Sequence, residues 1–328
     1  MATTFYSEIA ANRRNSLFLM LAVIVLFGVL GTAIGYALTG ELAGGLIALA
    51  IAVVIALLLS IGSYFGGDKL VLTASSAKEV DQESAPQLFN VVTELTLAAG
   101  LPMPHVYIID DPSPNAFATG RDPNHASVAI TTGLLQKLDR EELQGVLGHE
   151  LSHVRNYDIR FSLILGVLVG GVALLSDFFL RYTFFFGGGR RSSNNDNEGG
   201  GGGGLQIIVF VIAIVLAILA PIAVRLIQMA VSRQREYLAD ASSVDLTRNP
   251  HGLESALEKI SEDPEVTKEA NRATQHLYFT NPLKKFDANS SNLMSTHPPI
   301  VDRINRLRLL TGEAPLTTSE AAPLQGLD

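Results

Sequence analysis

The chain of 328 residues contains no cysteine. Disulfide bonds and thiolate metal sites are therefore excluded, so any bound zinc must be held by histidine and carboxylate side chains. Long runs of basic residues are also missing, and the formal net charge is −8. Neither feature favours a nucleic acid as a partner. The absence of disulfides is consistent with a reducing compartment.

Charged residues are absent from two long apolar runs near the N-terminus, 15–40 and 42–67. Each run exceeds the roughly 20 residues that a helix needs to cross the bilayer core. Two buried core helices are the alternative, but helices of soluble proteins almost always keep one polar face. Two later runs, 161–180 and 205–224, are also uncharged apart from Asp177. They predict a second pair of spans, with a hairpin that enters the membrane only partly as the alternative.

Basic residues near the span ends predict the orientation of the chain, because cytoplasmic loops carry an excess of lysine and arginine. With the N-terminus inside, most of these residues lie on the cytoplasmic side. The cytoplasmic set is Arg13, Arg14, Lys69, Lys78, Arg155, Arg160, Arg233 and Arg235, and the outer set is Arg181, Arg190 and Arg191. The sequence therefore predicts that both termini lie in the cytoplasm.

The order of apolar and polar segments predicts a mainly α-helical protein with two transmembrane hairpins and a soluble domain in two parts. The segments are 1–68 (first hairpin), 69–158 (first part of the domain), 159–231 (second hairpin) and 232–328 (second part). A glycine-rich connector, 187–204, joins the later spans, and its composition favours a flexible chain.

The first part of the soluble domain carries the signals of a small β-sheet. Residues 106–109 and 127–131 are short runs that predict strands. Asp139 lies three residues before Glu142, which is the spacing of a capping box and predicts that a helix begins there.

The helix that begins at Asp139 contains His149, Glu150 and His153 in the pattern H-E-x-x-H. Residues four apart lie on one helix face, so both imidazoles can reach a single ion. Glu150 lies about 100° around the helix from His149, where its carboxylate can accept a proton from an activated water without binding the ion. The pattern predicts one Zn²⁺ per subunit and hydrolysis of peptide bonds. The alternative is a solvated helix with two unrelated histidines.

A third protein ligand is needed for zinc, and Glu236 is the best candidate. Asp240 lies four residues further along on the same helix face, where it can accept a hydrogen bond from the second ring nitrogen of a ligand histidine. The alternative is a surface carboxylate pair near Arg233 and Arg235. The hairpin between the two motifs favours the metal site, because a chain that crosses the membrane and returns brings both motifs to one membrane face.

Four further residues are candidates for the site. His297 lies in a rigid His-Pro-Pro turn, from which it can donate a hydrogen bond to an oxyanion or cap the following helix. Asn115 and Ala116 are expected in an edge segment that pairs with extended substrate backbone, with an Asx turn as the alternative. Arg303 can pair with an acidic group that supports a ligand, or it can be a solvated charge.

Together, these motifs resemble those of the HtpX family of bacterial membrane zinc proteases, relatives of the CAAX prenyl endopeptidases. The residues that carry the resemblance are His149–His153, Glu236–Asp240, Asn115–Ala118 and Ser295–Pro299. The resemblance covers essentially the whole chain. It implies a gluzincin-type site with Glu236 as the third zinc ligand and Asp240 in support, and a role in quality control of membrane proteins under stress.

The sequence, together with this resemblance, predicts a multi-pass protein of the bacterial cytoplasmic (inner) membrane, with a zinc endopeptidase domain that faces the cytoplasm and that the resemblance implies is gluzincin-like. The expected partners are membrane-protein or unfolded polypeptide substrates and the lipid bilayer. Alternatives are a specific processing protease of the CAAX-endopeptidase type and a non-catalytic zinc-binding scaffold, although a scaffold has no need of Glu150. A transporter is disfavoured, because the spans carry almost no ionisable residues.

Overall fold

The structure is a computed structural model, and it describes residues 5–186, 202–263, 265, 277–280 and 297–317. Most of the glycine-rich connector lies outside these residues, as do Arg190, Arg191, Ser295 and Thr296. The helices of the described part are α1 (Phe5–Thr39), α2 (Leu42–Ala74), α3 (Pro86–Ala99), α4 (Thr132–Lys137), α5 (Arg140–Arg155), α6 (Asp158–Phe186), α7 (Gly202–Thr247), α8 (Pro250–Glu262) and α9 (Ile300–Thr311). The strands are β1 (Lys78–Glu79), β2 (His105–Ile109), β3 (Ala116–Gly120) and β4 (Ala126–Thr131). The prediction of a mainly α-helical protein with a small β-sheet is confirmed.

Four of the described helices are long and apolar enough to cross a membrane. The candidate spans are Met20–Thr39, Leu42–Ala74, Asp158–Phe185 and Ile207–Thr247. They confirm the prediction of four membrane helices by length and composition. The fourth helix extends well beyond the predicted apolar run, so a single helix carries both that run and Glu236.

The chain divides into two compact units, one of which comprises 14–62 and 165–228. Within this unit, α1 and α2 pack closely through small residues. A Cβ atom added to Gly35 would lie only 2.4 Å from the Cβ atom of Ala48, so the helices can approach this far only with glycine at that position. Large apolar side chains such as Leu58 remain exposed on the unit's surface, as expected for helices that contact lipid.

The other unit comprises the described residues of 1–13, 63–164 and 229–328 and contains a four-stranded sheet in the order β1-β2-β4-β3. Strands β2 and β4 are parallel, whereas β1 pairs with β2 and β3 pairs with β4 in antiparallel fashion. The two runs predicted as strands form β2 and β4. Ala116 begins β3 at one edge of the sheet, as the sequence predicts.

Helix α5 begins at the predicted capping box. The Asp139 carboxylate accepts hydrogen bonds from the backbone N–H groups of Glu141 and Glu142, at 2.9 and 3.0 Å. In return, the Glu142 carboxylate accepts one from the Asp139 backbone at 2.9 Å. The helix buries an apolar face that includes Val146 and Leu147 and packs against α3, α8 and β3. Burial on several sides fixes the direction in which its H-E-x-x-H motif points.

Two glycines allow neighbouring helices to approach α5. A Cβ atom added to Gly145 would lie 2.7 Å from the backbone nitrogen of Leu253 in α8. One added to Gly148 would lie 2.8 Å from the hydroxyl oxygen of Ser243 in α7, and this hydroxyl donates a 2.7 Å hydrogen bond to the Gly145 carbonyl. Helix α7 therefore lies directly against α5, which brings its two carboxylates beside the H-E-x-x-H motif.

Candidate active site and metal centre

Helix α5 places the imidazole rings of His149 and His153 next to each other. Their Nε2 atoms are 3.2 Å apart, and the ring centroids are 4.8 Å apart at an interplanar angle of 86°. This is the arrangement expected of histidines four residues apart on one helix face. Both Nε2 atoms point towards the same small volume.

Glu236 from α7 completes a group of three ligand atoms. Its Oε2 atom lies 3.4 Å from Nε2 of His149, and its Oε1 atom lies 3.5 Å from Nε2 of His153. A tetrahedral zinc ion, with bonds of about 2.0–2.1 Å, separates its ligand atoms by about 3.3 Å. The three residues form one of the groups that could hold a metal ion, and their donor set of two imidazoles and one carboxylate suits zinc.

The charge around the two histidines also fits a divalent cation. Among the described residues, four buried carboxylates and two buried guanidinium groups lie there, which gives a formal charge of about −2 when all four carboxylates are ionised and the imidazoles are neutral. The carboxylates belong to Glu150, Asp158, Glu236 and Asp240, and the guanidinium groups to Arg235 and Arg303. A bound dication balances this charge.

Asp240 and Arg303 orient the His149 ring through its Nδ1 atom. Nδ1 of His149 lies 2.8 Å from the Asp240 carboxylate, and Arg303 donates to the two oxygens of that carboxylate at 2.9 and 2.7 Å. With its Nδ1–H donated to Asp240, His149 presents the Nε2 lone pair to a metal. The side chain of Arg303 is only 1% exposed, so the structure pairs it with the acidic group and not with solvent.

Glu150 is 2% exposed and lies beside the two histidines. Burial raises the pKa of its carboxyl group above the ordinary value, although the neighbouring histidines and a backbone hydrogen bond from Ala118 act in the opposite direction. A carboxyl group with a raised pKa is suited to accept a proton and release it later in the same reaction. This is the arrangement expected of a general base.

His297 lies next to the third candidate ligand. Its Nδ1 atom is 3.4 Å from Oε2 of Glu236, and the residue is buried. The following helix, α9, has Pro299 as its N-cap and no side-chain cap hydrogen bond. The structure thus places the His297 imidazole in the cluster around Glu236.

Asn115 and Ala116 contact a short segment of this chain, residues 277–280. The Phe279 backbone N–H donates a 2.8 Å hydrogen bond to the Ala116 carbonyl, and the Asn115 side chain donates to the Thr280 carbonyl at 3.1 Å. The segment thus occupies the sheet edge at the positions where substrate backbone is expected from the sequence. Substrate pairing at Ala116 requires that this segment move.

A cleft lies beside the candidate metal ligands and has room for a water molecule. Ala118 of β3, Glu150, and Leu277 and Tyr278 of the segment 277–280 contribute to its walls. No periodic pattern in the sequence predicts that Leu277 and Tyr278 lie at this site.

Asp158 and Arg235 also line the cleft, although neither is predicted from the sequence to take part in the site. Asp158 is the first residue of α6, and Arg235 immediately precedes Glu236 in α7. Because Arg235 is adjacent to Glu236 in the sequence, its position at the site could have been predicted. Asp158 has no such signal, because its position depends on the turn between two helices.

Residues 82–311 match the family model described as Peptidase family M48. The chain is 45% identical over 303 residues to a protease HtpX homolog from Listeria monocytogenes serovar 1/2a, which covers 92% of this chain and 98% of the relative. It is 42% identical over 307 residues to a protease HtpX homolog from Dictyoglomus thermophilum, with 94% and 95% covered.

Among solved structures, the crystal structure of Ste24p from S. mikatae is similar at a TM-score of 0.49 and 18% identity, covering 92% of this chain and 67% of that chain. The family model spans well over half of this chain, and the two HtpX homologs align over nearly their whole length. With its four apolar helices, the chain is a multi-pass membrane metallopeptidase that belongs to peptidase family M48.

Proposed function

We propose that this chain is a zinc endopeptidase of the bacterial cytoplasmic membrane, with its active site on the cytoplasmic side. The observation that carries the proposal is the convergence of ligand atoms from His149, His153 and Glu236 beside the buried carboxyl group of Glu150. The separations of these atoms and the charge around them support zinc as the metal.

When bound, zinc supplies Lewis-acid activation of a water molecule and of the scissile carbonyl group. Glu150 accepts a proton from the water and transfers it to the amine that leaves. His297 donates a hydrogen bond to the oxygen that gains negative charge during attack. Asp240 keeps the Nδ1 proton of His149 in place, so that the same ring nitrogen faces the metal throughout the reaction.

The proposed substrates are membrane proteins with damaged or unfolded cytoplasmic segments, which gives the enzyme a role in membrane-protein quality control under stress. Helix α7 supports this proposal, because it carries both a candidate membrane span and Glu236. The likeness to proteins named protease HtpX homolog supports proteolysis. The distribution of basic residues at the span ends supports a cytoplasmic site.

The catalytic proposal is tested with purified protein in lipid vesicles and a model membrane substrate that contains an unfolded segment. We expect the wild type to cleave it inside the chain, and a chelator to abolish cleavage. Glu150→Gln should abolish cleavage while zinc stays bound, whereas Glu141→Gln, on the same helix but outside the cleft, should retain it. Full activity of Glu150→Gln overturns the mechanism. Cleavage confined to a lipidated C-terminal peptide offered in parallel overturns the proposed substrate class.

The orientation is tested by single cysteines, since the native chain has none. Cysteine placed at the exposed Glu83 should react with a membrane-impermeant maleimide only after the inner membrane of spheroplasts is permeabilised. Labelling of intact spheroplasts contradicts a cytoplasmic site.

A further inference from the structure

Each of the two candidate ligand histidines has a carboxylate behind it. The Asp240 carboxylate lies beside Nδ1 of His149. The Asp158 carboxylate lies beside Nδ1 of His153, with its Oδ2 atom 3.2 Å from that nitrogen. The second oxygen of Asp158 lies 3.5 Å from Nε of Arg235, and both side chains are almost fully buried. The arrangement of imidazole, carboxylate and guanidinium groups found at His149 is therefore repeated at His153.

The chain reversal between α5 and α6 makes this contact possible. On an uninterrupted helix, residues five apart differ by about 140° around the axis, so Asp158 would face away from His153. Helix α5 ends at Arg155, and Tyr157 adopts a left-handed backbone conformation with φ of 62°. This conformation is strained for a residue other than glycine. The turn that carries this strain brings Asp158 back onto the imidazole.

Arg235 is held in place by a second contact. Its guanidinium group lies over the ring of Phe161 in α6, 4.0 Å from the centroid. Because Arg235 is adjacent to Glu236 in α7, one helix supplies both the third candidate ligand and the cation that binds Asp158. The ring of His153 is thereby fixed from two sides, with Glu236 opposite Nε2 and Asp158 opposite Nδ1.

We propose that Asp158 and Arg235 are positioning residues for the metal centre and act through His153. The Asp158 carboxylate accepts the Nδ1–H hydrogen bond, which fixes the tautomer and the rotation of the ring and leaves the Nε2 lone pair for the metal. Arg235 holds the carboxylate in that position and offsets its buried charge. The inference rests on the proposed zinc site.

Metal affinity and cobalt spectra test the inference without an activity assay. Zinc affinity is measured by competition with a chromophoric chelator, and the ligand field by the visible absorption of the Co²⁺-substituted protein. We expect Asp158→Ala to lower zinc affinity about 10–100-fold and to alter the cobalt spectrum. Asp158→Asn keeps the shape of the side chain but weakens the hydrogen-bond acceptor. This variant and Arg235→Lys should each lower zinc affinity less than Asp158→Ala does. Asp158→Glu should restore part of the loss.

A matched control is Asp111→Asn, which changes a fully buried aspartate that bonds with Ser113. It should leave zinc affinity and the cobalt spectrum unchanged, whatever its effect on thermal stability. If Asp158→Ala does not fold, Asp158→Asn and Arg235→Lys decide the question. Wild-type affinity and an unchanged cobalt spectrum in the folded Asp158 variants overturn this inference. If the wild type itself binds no zinc, the proposed function fails instead.

Discussion

The Nδ1 atom of His149 lies 2.8 Å from the carboxylate of Asp240, in a buried contact between residues 91 positions apart. The same carboxylate accepts hydrogen bonds from Arg303. These contacts join α5, α7 and α9 at one point. They orient a candidate metal ligand, and they also hold together helices that are distant in the sequence.

The buried pair of Asp240 and Arg303 should contribute to stability as a unit. Asp240→Asn removes the carboxylate charge to which the buried guanidinium group donates, so we expect the free energy of unfolding of the metal-free protein to fall by about 3–5 kcal/mol. Arg303→Met alone should also destabilise. The double variant should be less destabilised than the sum of the two, by about 0.5–3 kcal/mol. Denaturant unfolding in detergent measures the free energy of unfolding of all three variants. If the losses of the two single variants simply add in the double variant, the proposed pairing is contradicted.

His297 should affect the rate of catalysis more than metal binding. If its imidazole donates to the developing oxyanion, His297→Ala should lower kcat about 10²–10³-fold and leave zinc content and KM nearly unchanged. His297→Gln, which keeps an N–H donor, should recover part of the rate. Steady-state kinetics together with zinc analysis separate the roles. Loss of zinc with little change in the kcat of the zinc-loaded fraction would show that His297 only supports Glu236.

Local spacing in the sequence predicts the half of the site that lies on α5 and the motif on α7. His149 and His153 are four apart, as are Glu236 and Asp240, and an α-helix places such pairs on one face. The capping box at Asp139 likewise depends only on local geometry. These features do not require knowledge of how distant segments pack.

Tertiary packing determines the features that the sequence analysis does not predict. Asp158 reaches His153 only because the backbone reverses at Tyr157. The segment 277–280 covers Ala116 through a backbone hydrogen bond, which almost any residue type can form, and it covers Asn115 through a bond from that residue's side chain to a backbone carbonyl. No periodicity or motif encodes such contacts.

The stability of the metal-free protein should depend on the protonation of His153. Burial disfavours the charged ring, but the hydrogen bonds to Asp158 and Glu236 outweigh it and raise the pKa of His153 from 6.5 to about 10. Because the folded pKa lies above the ordinary one, the stabilisation is fully present below about pH 6.5 and is lost as the pH rises towards about 10.

We therefore expect the melting temperature of chelator-treated protein to fall between pH 6.5 and 10. His153→Gln should reduce this slope, because it removes the titrating group. Zinc competes with protons for the ring nitrogens, so zinc binding near neutral pH should release protons to the buffer. Equal pH slopes for the wild type and His153→Gln in the absence of metal contradict the assignment.

The glycine at position 145 should be required for the packing of α5 against α8. In Gly145→Ala, the new Cβ would lie 2.7 Å from the Leu253 nitrogen and 2.8 Å from its Cα, and backbone atoms cannot move aside as a flexible side chain can. We expect the free energy of unfolding to fall by about 1–3 kcal/mol. The matched control is Gly66→Ala, where a Cβ meets nothing within 4 Å. It should be neutral or slightly stabilising, and equal losses for the two variants contradict the packing argument.

Metal analysis of purified protein tests the central claim most directly, since a second group can serve as a control. His251, Glu254 and Glu313 also cluster, but they lie mostly at the surface, and Arg308 already binds the Glu254 carboxylate. We predict one zinc ion per chain in the wild type, in Glu150→Gln and in Glu254→Gln, and loss of zinc in Glu236→Gln. Retention of zinc by Glu236→Gln, or its loss from Glu254→Gln, would contradict the assignment of His149, His153 and Glu236 as the metal centre.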